Sequence, residues 1–421
     1  MTDSSTTHAS RRSVLGALLG TPFLATSGFD TPAQTQAECE TTVGTNTHTN
    51  PYFDITHDDF GAQGDGTQDD STAIQKAVDA ASEVGGTVYF PPSPGEYFLN
   101  NPIEVTAGNV TLKGSPAWGS ILKAGPKLNQ SMVDGLGKGG KSTNASHVIV
   151  KDLVFNGEDG WTDHAYRAAH KAIRTKKGAH WTIENCYIYD TRATGIGLDS
   201  VANDRYLHNR LEKCGTPGEE TGSNGLGIGV GEAGETARTP TYAIGNTIID
   251  TSQHAIILEQ TGGFEDTTNA VFIGNVIDGA RGGIVGELAD KITCLGNTVE
   301  HTDEYGLYFG PLDSQKGCRF VTMQGNVVRH HGSPEYNQRD GLLVAEETDY
   351  AWAQGNIVAD SGIQVSANVN MVNSTGREAA GVGNKPSIDV WHPHFTGGFV
   401  ENTDDGTLWH LNTRGEFRNV Y

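Results

Sequence analysis

Short runs of alternating apolar and polar residues, each closed by a polar turn, recur along most of the chain. Apolar strands ending in Asn stand at Ile183-Glu184-Asn185, Leu207-His208-Asn209, Ile244-Gly245-Asn246, Ile273-Gly274-Asn275, Leu295-Gly296-Asn297, Met323-Gln324-Gly325-Asn326 and Ala353-Gln354-Gly355-Asn356. The Asn-to-Asn steps are 24, 37, 29, 22, 29 and 30 residues. A second short β-rich piece follows each Asn, then a loop, then Gly and another alternating strand. No helical period is long enough to alternate with these strands. Uneven steps built from strands and polar turns predict a parallel β-solenoid, because turns accept loops of any length while coils stack at about 4.8 Å. The Asn residues are expected to stack inside it as an amide ladder.

From Asp70, the spacing of Ile74, Ala77, Val78 and Ala81 predicts one face of a short helix, stopped by Gly85-Gly86. Such a helix covers the first coil and hides its edge. The expected class is therefore all-β, a parallel solenoid over 54–370 with a short N-terminal capping helix. Residues 371–421, where the repeat fades, form a C-terminal cap or tail.

Aligning the second strand of each coil on its leading Gly or Ala gives Ala172–Lys176, Gly195–Asp199, Gly225–Gly229, Ala255–Glu259, Gly283–Glu287, Gly306–Gly310 and Gly341–Ala345. Second and fourth positions are almost all apolar and turn inward; third and fifth face out. The outward fifth row reads Lys176, Asp199, Gly229, Glu259, Glu287, Gly310, Ala345. The third reads Arg174, Gly197, Gly227, Ile257, Val285, Tyr308, Leu343. Lys176 and Asp199 then sit one coil apart, as do Glu259 and Glu287. Gly197, Gly227 and Gly229 leave a bare floor between charged rims.

Composition narrows the partners. The 421 residues include 55 Gly and carry 29 Lys+Arg against 51 Asp+Glu, a formal charge of −22. Such a surface repels phosphate, so nucleic acid is not an expected partner. Excess carboxylate with little Lys suits a protein kept soluble in concentrated salt. The glycines keep no three-residue period, which excludes collagen. Five cysteines (Cys39, Cys186, Cys214, Cys294, Cys318) show no zinc spacing and read as buried thiols.

Residues 1–27 read as a targeting segment: Ser10-Arg11-Arg12-Ser13-Val14-Leu15 resembles a twin-arginine signal and precedes an apolar stretch too short to span a membrane. Export is expected, with 28–53 as a flexible tether and no integral membrane segment once the signal is removed.

Against the acidic background, Trp161–Trp181 holds Arg167, Lys171, Arg174, Lys176 and Lys177 with His164, His170 and His180, and only Asp163 as an acid. This basic island suits an anionic polymer, with Trp161 or Trp181 stacking on a ring face of it. Arg167, Trp161, Trp181, Tyr308, Gly197 and Gly227 are the candidate substrate contacts. Close carboxylates share a proton or bind a cation, so Glu259 and Glu287 are candidate Ca²⁺ ligands.

Asp59-Phe60-Gly61-Ala62-Gln63-Gly64-Asp65-Gly66-Thr67-Gln68-Asp69-Asp70, then Ala73-Ile74-Gln75-Lys76-Ala77, then Gly85-Gly86-Thr87-Val88-Tyr89-Phe90-Pro91-Pro92, resembles the N-terminal signature of the pectate-lyase-like superfamily. That superfamily holds polysaccharide lyases, polygalacturonases, alginate epimerases and phage tailspikes. The resemblance implies a right-handed parallel β-helix and does not choose a reaction.

A lyase needs a base beside the uronate carboxyl group and a cation to neutralise it. Lys176 and Arg174 beside Asp199, with acids able to hold Ca²⁺, supply those parts, and Lys171, His170 or His164 are the alternative bases. A glycosidase needs two carboxyl groups, about 5 Å apart for retention or 6.5–9.5 Å for inversion. Glu259 with Glu287 suits the first, Asp199 with Glu259 the second. The polygalacturonase motifs are missing, apart from Arg174-Thr175-Lys176, which is similar to one of them but comes too early. Ile196-Gly197-Leu198-Asp199-Ser200-Val201-Ala202 is similar to the alginate epimerases' Tyr-Gly-Phe-Asp-Pro-His-Glu element. It keeps the Asp as Asp199 and replaces the Tyr and His by Ile196 and Val201, which leaves His170 or Tyr206 to substitute. The expected function is cleavage of an acidic polysaccharide outside the cell by β-elimination. Hydrolysis and non-catalytic glycan binding are the alternatives.

Overall fold

The computed structural model describes residues 51–419 except 138–140, 143–144, 158–168, 177, 200, 218–222, 231–239, 261–268, 288, 312–316, 332–339, 345–348, 359–361, 366–368, 373–378, 383–397, 403–406 and 412–416. The leader, residues 28–50 of the tether, Cys39, Trp161, Asp163, His164, Arg167 and Lys177 lie outside the described residues.

Each coil of the solenoid carries up to three short strands. One coil is Thr182–Glu184, Tyr187–Tyr189 and Ile196–Asp199; the next is Arg205–Leu207, Arg210–Glu212 and Leu226–Val230. Every strand pairs in parallel with its counterpart one coil on, as Thr182 with Arg205, Tyr187 with Arg210 and Ile196 with Leu226. Three stacked sheets result, the second and third made continuous where Val276–Gly286 and Thr298–Phe309 run through both. The first runs through twelve strands, from Tyr52–Asp54 to Val369–Val372. Parallel pairing in the third sheet continues through Ala379–Val382 to Gly398–Asn402, past the boundary read at 370, before the chain turns antiparallel at Thr407–Leu411 and Phe417–Asn419. No helix among the described residues is long and apolar enough to cross a membrane.

Alternation places one apolar column from each sheet inside the coils. Ile183, Tyr206, Ala243, Phe272, Cys294, Met323 and Ala353 stack from the first sheet, and Phe155, Ile188, Leu211, Ile248, Ile277, Val299 and Val328 from the second, all fully buried. Each Ile, Leu or Phe removed from water in this way contributes about 1.5–3 kcal/mol. Cys186, Cys214, Cys294 and Cys318 are buried free thiols. The helix Ser71–Val84 buries Ile74, Ala77, Val78 and Ala81 and stops at Gly85, whose φ of 75° suits a residue without Cβ.

The amide ladder is present. Asn209, Asn246, Asn275, Asn297, Asn326 and Asn356 stack at the first turn, and each Nδ2 donates to the next Oδ1 at 2.8–3.0 Å. The residue before each ladder Asn is left-handed, as at Gly245 (φ 64°) and His208 (φ 55°). Asn185 is a correction: it occupies that left-handed position (φ 50°), and Cys186 fills the ladder slot, its amide donating to Asn209 Oδ1 at 3.0 Å.

Candidate functional site

The outward rows of the third sheet stack in the register read from the alignment. Lys176, Asp199, Gly229 and Glu259 are successive partners, and so are Arg174, Gly197, Gly227 and Ile257. Glu287 follows Gly286, the partner of Leu258, and its amide donates to the Leu258 carbonyl at 2.9 Å, so Glu259 and Glu287 occupy adjacent coils. Glu259 is exposed; Lys176, Asp199 and Glu287 are half-buried.

Lys171 supplies what the bare floor lacks. Its main chain is held by Met132, whose amide donates to the Lys171 carbonyl at 3.1 Å. The side chain then runs across Gly197. A Cβ at position 197 would lie 2.6 Å from Lys171 Nζ, 3.0 Å from Cδ and 3.2 Å from Cε. Burial lowers the pKa of this amine below the usual lysine range. Asp199 opposes that shift, Arg174 reinforces it, and Glu259 opposes it more weakly. The amine therefore lies within the field of all three charged rim groups. At Gly227 the neighbour is Thr194, whose Cγ2 would be 3.0 Å from an added Cβ.

Arg174 is fixed from behind. Its Nη2 donates to Asp134 Oδ2 at 2.7 Å, and Asp134 is 1% exposed. Val133-Asp134 pairs with Ile173-Arg174, which makes Asp134 the preceding member of the third-position row. Sequence reasoning missed Asp134 because the alignment starts one coil too late; Met132-Val133-Asp134 extends it.

Other candidates fall away from the groove. Trp181 is fully buried, with Nε1 donating to the Ala145 carbonyl at 2.8 Å. It shares the inward parity of Ile183, so it packs the core and cannot stack on a sugar. Tyr308 points outward yet is 5% exposed, in a second apolar cluster with Ile257, Val285, Tyr305 and Leu343. Its hydroxyl donates to the Pro311 carbonyl at 2.6 Å. His170 is 2% exposed, which removes it from the groove surface as a base. Tyr206 is buried inside the coil, where burial, Asp204 and Asp199 raise its pKa, so it does not substitute for the missing acid–base pair. Asp204 beside it accepts a hydrogen bond from the Thr241 hydroxyl, and burial pushes its pKa up to about 6.

Among the described residues no group of three or more His, Cys, Asp or Glu side chains is placed to hold a metal ion. Glu259 and Glu287 stand on adjacent coils as the two carboxylates nearest to such a site.

Two family models match the chain: "Rhamnogalacturonase A/epimerase, pectate lyase-like" over residues 55–145, and "Right handed beta helix region" over 128–314. Among curated proteins, mannuronan C5-epimerase AlgE3 of Azotobacter vinelandii is 31% identical over 175 residues, 37% of this chain and 9% of that protein. Alginate lyase 7 of the same organism is 31% identical over 166 residues, 35% of this chain and 19% of the relative. The chain thus matches less than a fifth of the length of either. Among solved structures, the surface adhesin PfbA of Streptococcus pneumoniae superposes with a TM-score of 0.61 at 13% identity, over 88% of this chain and 98% of that one. The A-module of mannuronan C-5 epimerase AlgE6 of Azotobacter vinelandii gives 0.53 at 18% identity, over 84% and 90%. At these identities the superpositions speak to the fold, a right-handed parallel β-helix.

Proposed function

We propose that this protein, a pectate-lyase-like β-helix, acts outside the cell on a uronate-containing polysaccharide and cleaves it by β-elimination. The observation that carries the reading is the Lys171 amine, laid on the Gly197 backbone with its pKa lowered by burial, within the field of Asp199 and Arg174. A base must hold little proton at working pH and reach the carbon that loses one. Burial moves Lys171 toward the first condition by lowering its pKa, and the absence of a side chain at Gly197 opens the approach for the second.

In this reading Arg174, held in place by Asp134, faces the uronate carboxylate and stabilises the charge that develops there. Lys176 adds a second positive charge on the rim. The neutral amine of Lys171 takes the proton on C5. Its electron pair becomes the C4=C5 double bond, the C4–O bond breaks, and the new ammonium returns its proton to the departing oxygen. The products are an unsaturated uronate end and a shortened chain. Mannuronan and alginate, named in the relatives' descriptions, are the first polymers to test. The twin-arginine-like leader supports export.

Hydrolysis is the second reading, favoured by one observation. Asp199 and Glu259 flank Gly229 two strand spacings apart, about 9.6 Å along the stack, near the upper end of the separation for an inverting pair. Incubation with uronate polymers separates the readings. Ultraviolet-absorbing ends support elimination, reducing ends without absorbance support hydrolysis, and neither product favours a glycan-binding protein.

A further inference from the structure

On the outer face of the second sheet, three aromatic side chains gather that the reaction above does not use. Trp118 rides on the turn between Val110–Lys113 and Ile121–Ala124, which reaches across two coils to place its ring centroid 5.3 Å from that of Tyr187. Tyr189, two residues further along the same strand, lies 5.0 Å from Tyr187. All three rings are half-buried, so each keeps part of its surface in water.

The indole is held firmly. Its Nε1 donates to the Asn185 carbonyl at 2.9 Å. Ala117 and Trp118 both have φ of 57°, a region that costs a residue with a side chain about 1–3 kcal/mol and persists only where the surroundings enforce it.

Planar polar groups frame the rings. The Arg210 guanidinium lies 5.5 Å over the Tyr187 ring and donates to Glu212 Oε2 at 2.9 Å; the Tyr187 hydroxyl donates to the same oxygen at 3.0 Å. Register sets Lys123, Asn156, Tyr189 and Glu212 in one outward row. At its far end Glu96 pairs with Lys123 at 3.2 Å and accepts from Asn156 Nδ2 at 2.7 Å. Glu96 and Glu212 are each paired with a base, so an anionic chain meets a balanced patch on a protein of net charge −22.

We propose that Trp118, Tyr187 and Tyr189 form a second saccharide-binding surface, separate from the groove, that holds a uronate polysaccharide chain. Rigid amphipathic rings give large contact area at low entropic cost, which suits the apolar C–H face of a sugar. Arg210 and Glu212 meet its hydroxyls. The strand Tyr187–Tyr189 and the groove strand Ile196–Asp199 belong to one coil, so a polymer held on the platform raises its effective concentration at the groove. The choice of polymer rests on the reading above; the surface itself does not.

The test is electrophoresis of the folded, full-length protein through native gels with and without alginate. Wild type is expected to be retarded by the polymer. Trp118→Ala, and independently Tyr189→Ser, should each raise the dissociation constant about tenfold with melting temperatures near wild type, whereas Lys171→Met should leave retardation in place. If Trp118→Ala does not fold, Tyr189→Ser decides. Retardation unchanged in the folded variants, or no retardation of wild type, overturns the surface. Turnover with retardation indifferent to Trp118 and Tyr189 sinks this surface alone. Retardation that depends on Trp118 without any turnover sinks the elimination reading and leaves the surface standing.

Discussion

The Lys171 side chain lies on the backbone of Gly197, in the space a β-carbon would fill; an added Cβ would come within 2.6 Å of Nζ. Gly197→Ala therefore has to push the amine off the groove floor. We expect a fall in kcat of about 10–100-fold, the range in which misplacing a reacting group by about 1 Å operates. Melting temperature should change little, because the displaced end is flexible. A Gly197→Ala enzyme as active as wild type would separate Lys171 from the chemistry.

The lowered pKa of Lys171 sets a direction for pH dependence. The amine is active when neutral, so kcat/KM should rise with pH, with a midpoint below the ordinary lysine value of 10.5. Lys171→Arg keeps the charge but holds its proton throughout this range, and should be inactive. A rate–pH profile of both proteins checks the pair.

The amide ladder predicts a stability cost in mid-stack. Asn275 Nδ2 donates to the Ala243 carbonyl and to Asn297 Oδ1, and its Oδ1 accepts from both nitrogens of Asn246. Asn275→Ala strands buried partners on both sides, at about 1–3 kcal/mol for each group left unsatisfied. Denaturant unfolding should show a loss of roughly 3 kcal/mol or more. Gly274→Ala probes a different link, since its φ of 60° strains any side chain.

Two buried groups pull stability in opposite directions with pH. Burial raises Asp204 to about 6, so its contribution is complete below 3.8 and is lost as pH rises through 6. Burial, with Arg281 nearby, lowers His254 to about 4, so its contribution is complete above 6.5 and is lost as pH falls through 4. Asp204→Asn removes the first effect. It should stabilise the protein at pH 7 by up to about 3 kcal/mol and leave stability rising with pH between 4 and 6.5. Thermal melts of wild type and variant across that interval test both signs.

Much of this is legible in the sequence. Period-two alternation and the recurring Asn defined the coils, and the same alignment put Lys176, Asp199 and Glu259 in one row. What pattern could not resolve was parity and cover at particular residues. Trp181 carries the chemistry of a sugar platform but the inward parity of a core residue. Tyr308 points outward and is still covered, which depends on packing beyond its own strand. Asn185 looked like a rung because it too precedes a strand, whereas the rung is set by the residue after the left-handed turn, Cys186. Lys171 was only one of several candidate bases. Its reach over Gly197 is a property of side-chain direction, which spacing does not encode.

The elimination account is tested most directly by the ultraviolet absorbance of uronate polymers incubated with wild type and with Lys171→Met. The account predicts absorbing unsaturated ends from wild type and a loss of about 10²–10⁴-fold in their rate of appearance in the variant, the range for removal of a general base. Lys171→Met working at the wild-type rate, or wild type releasing reducing ends without absorbance, would contradict it.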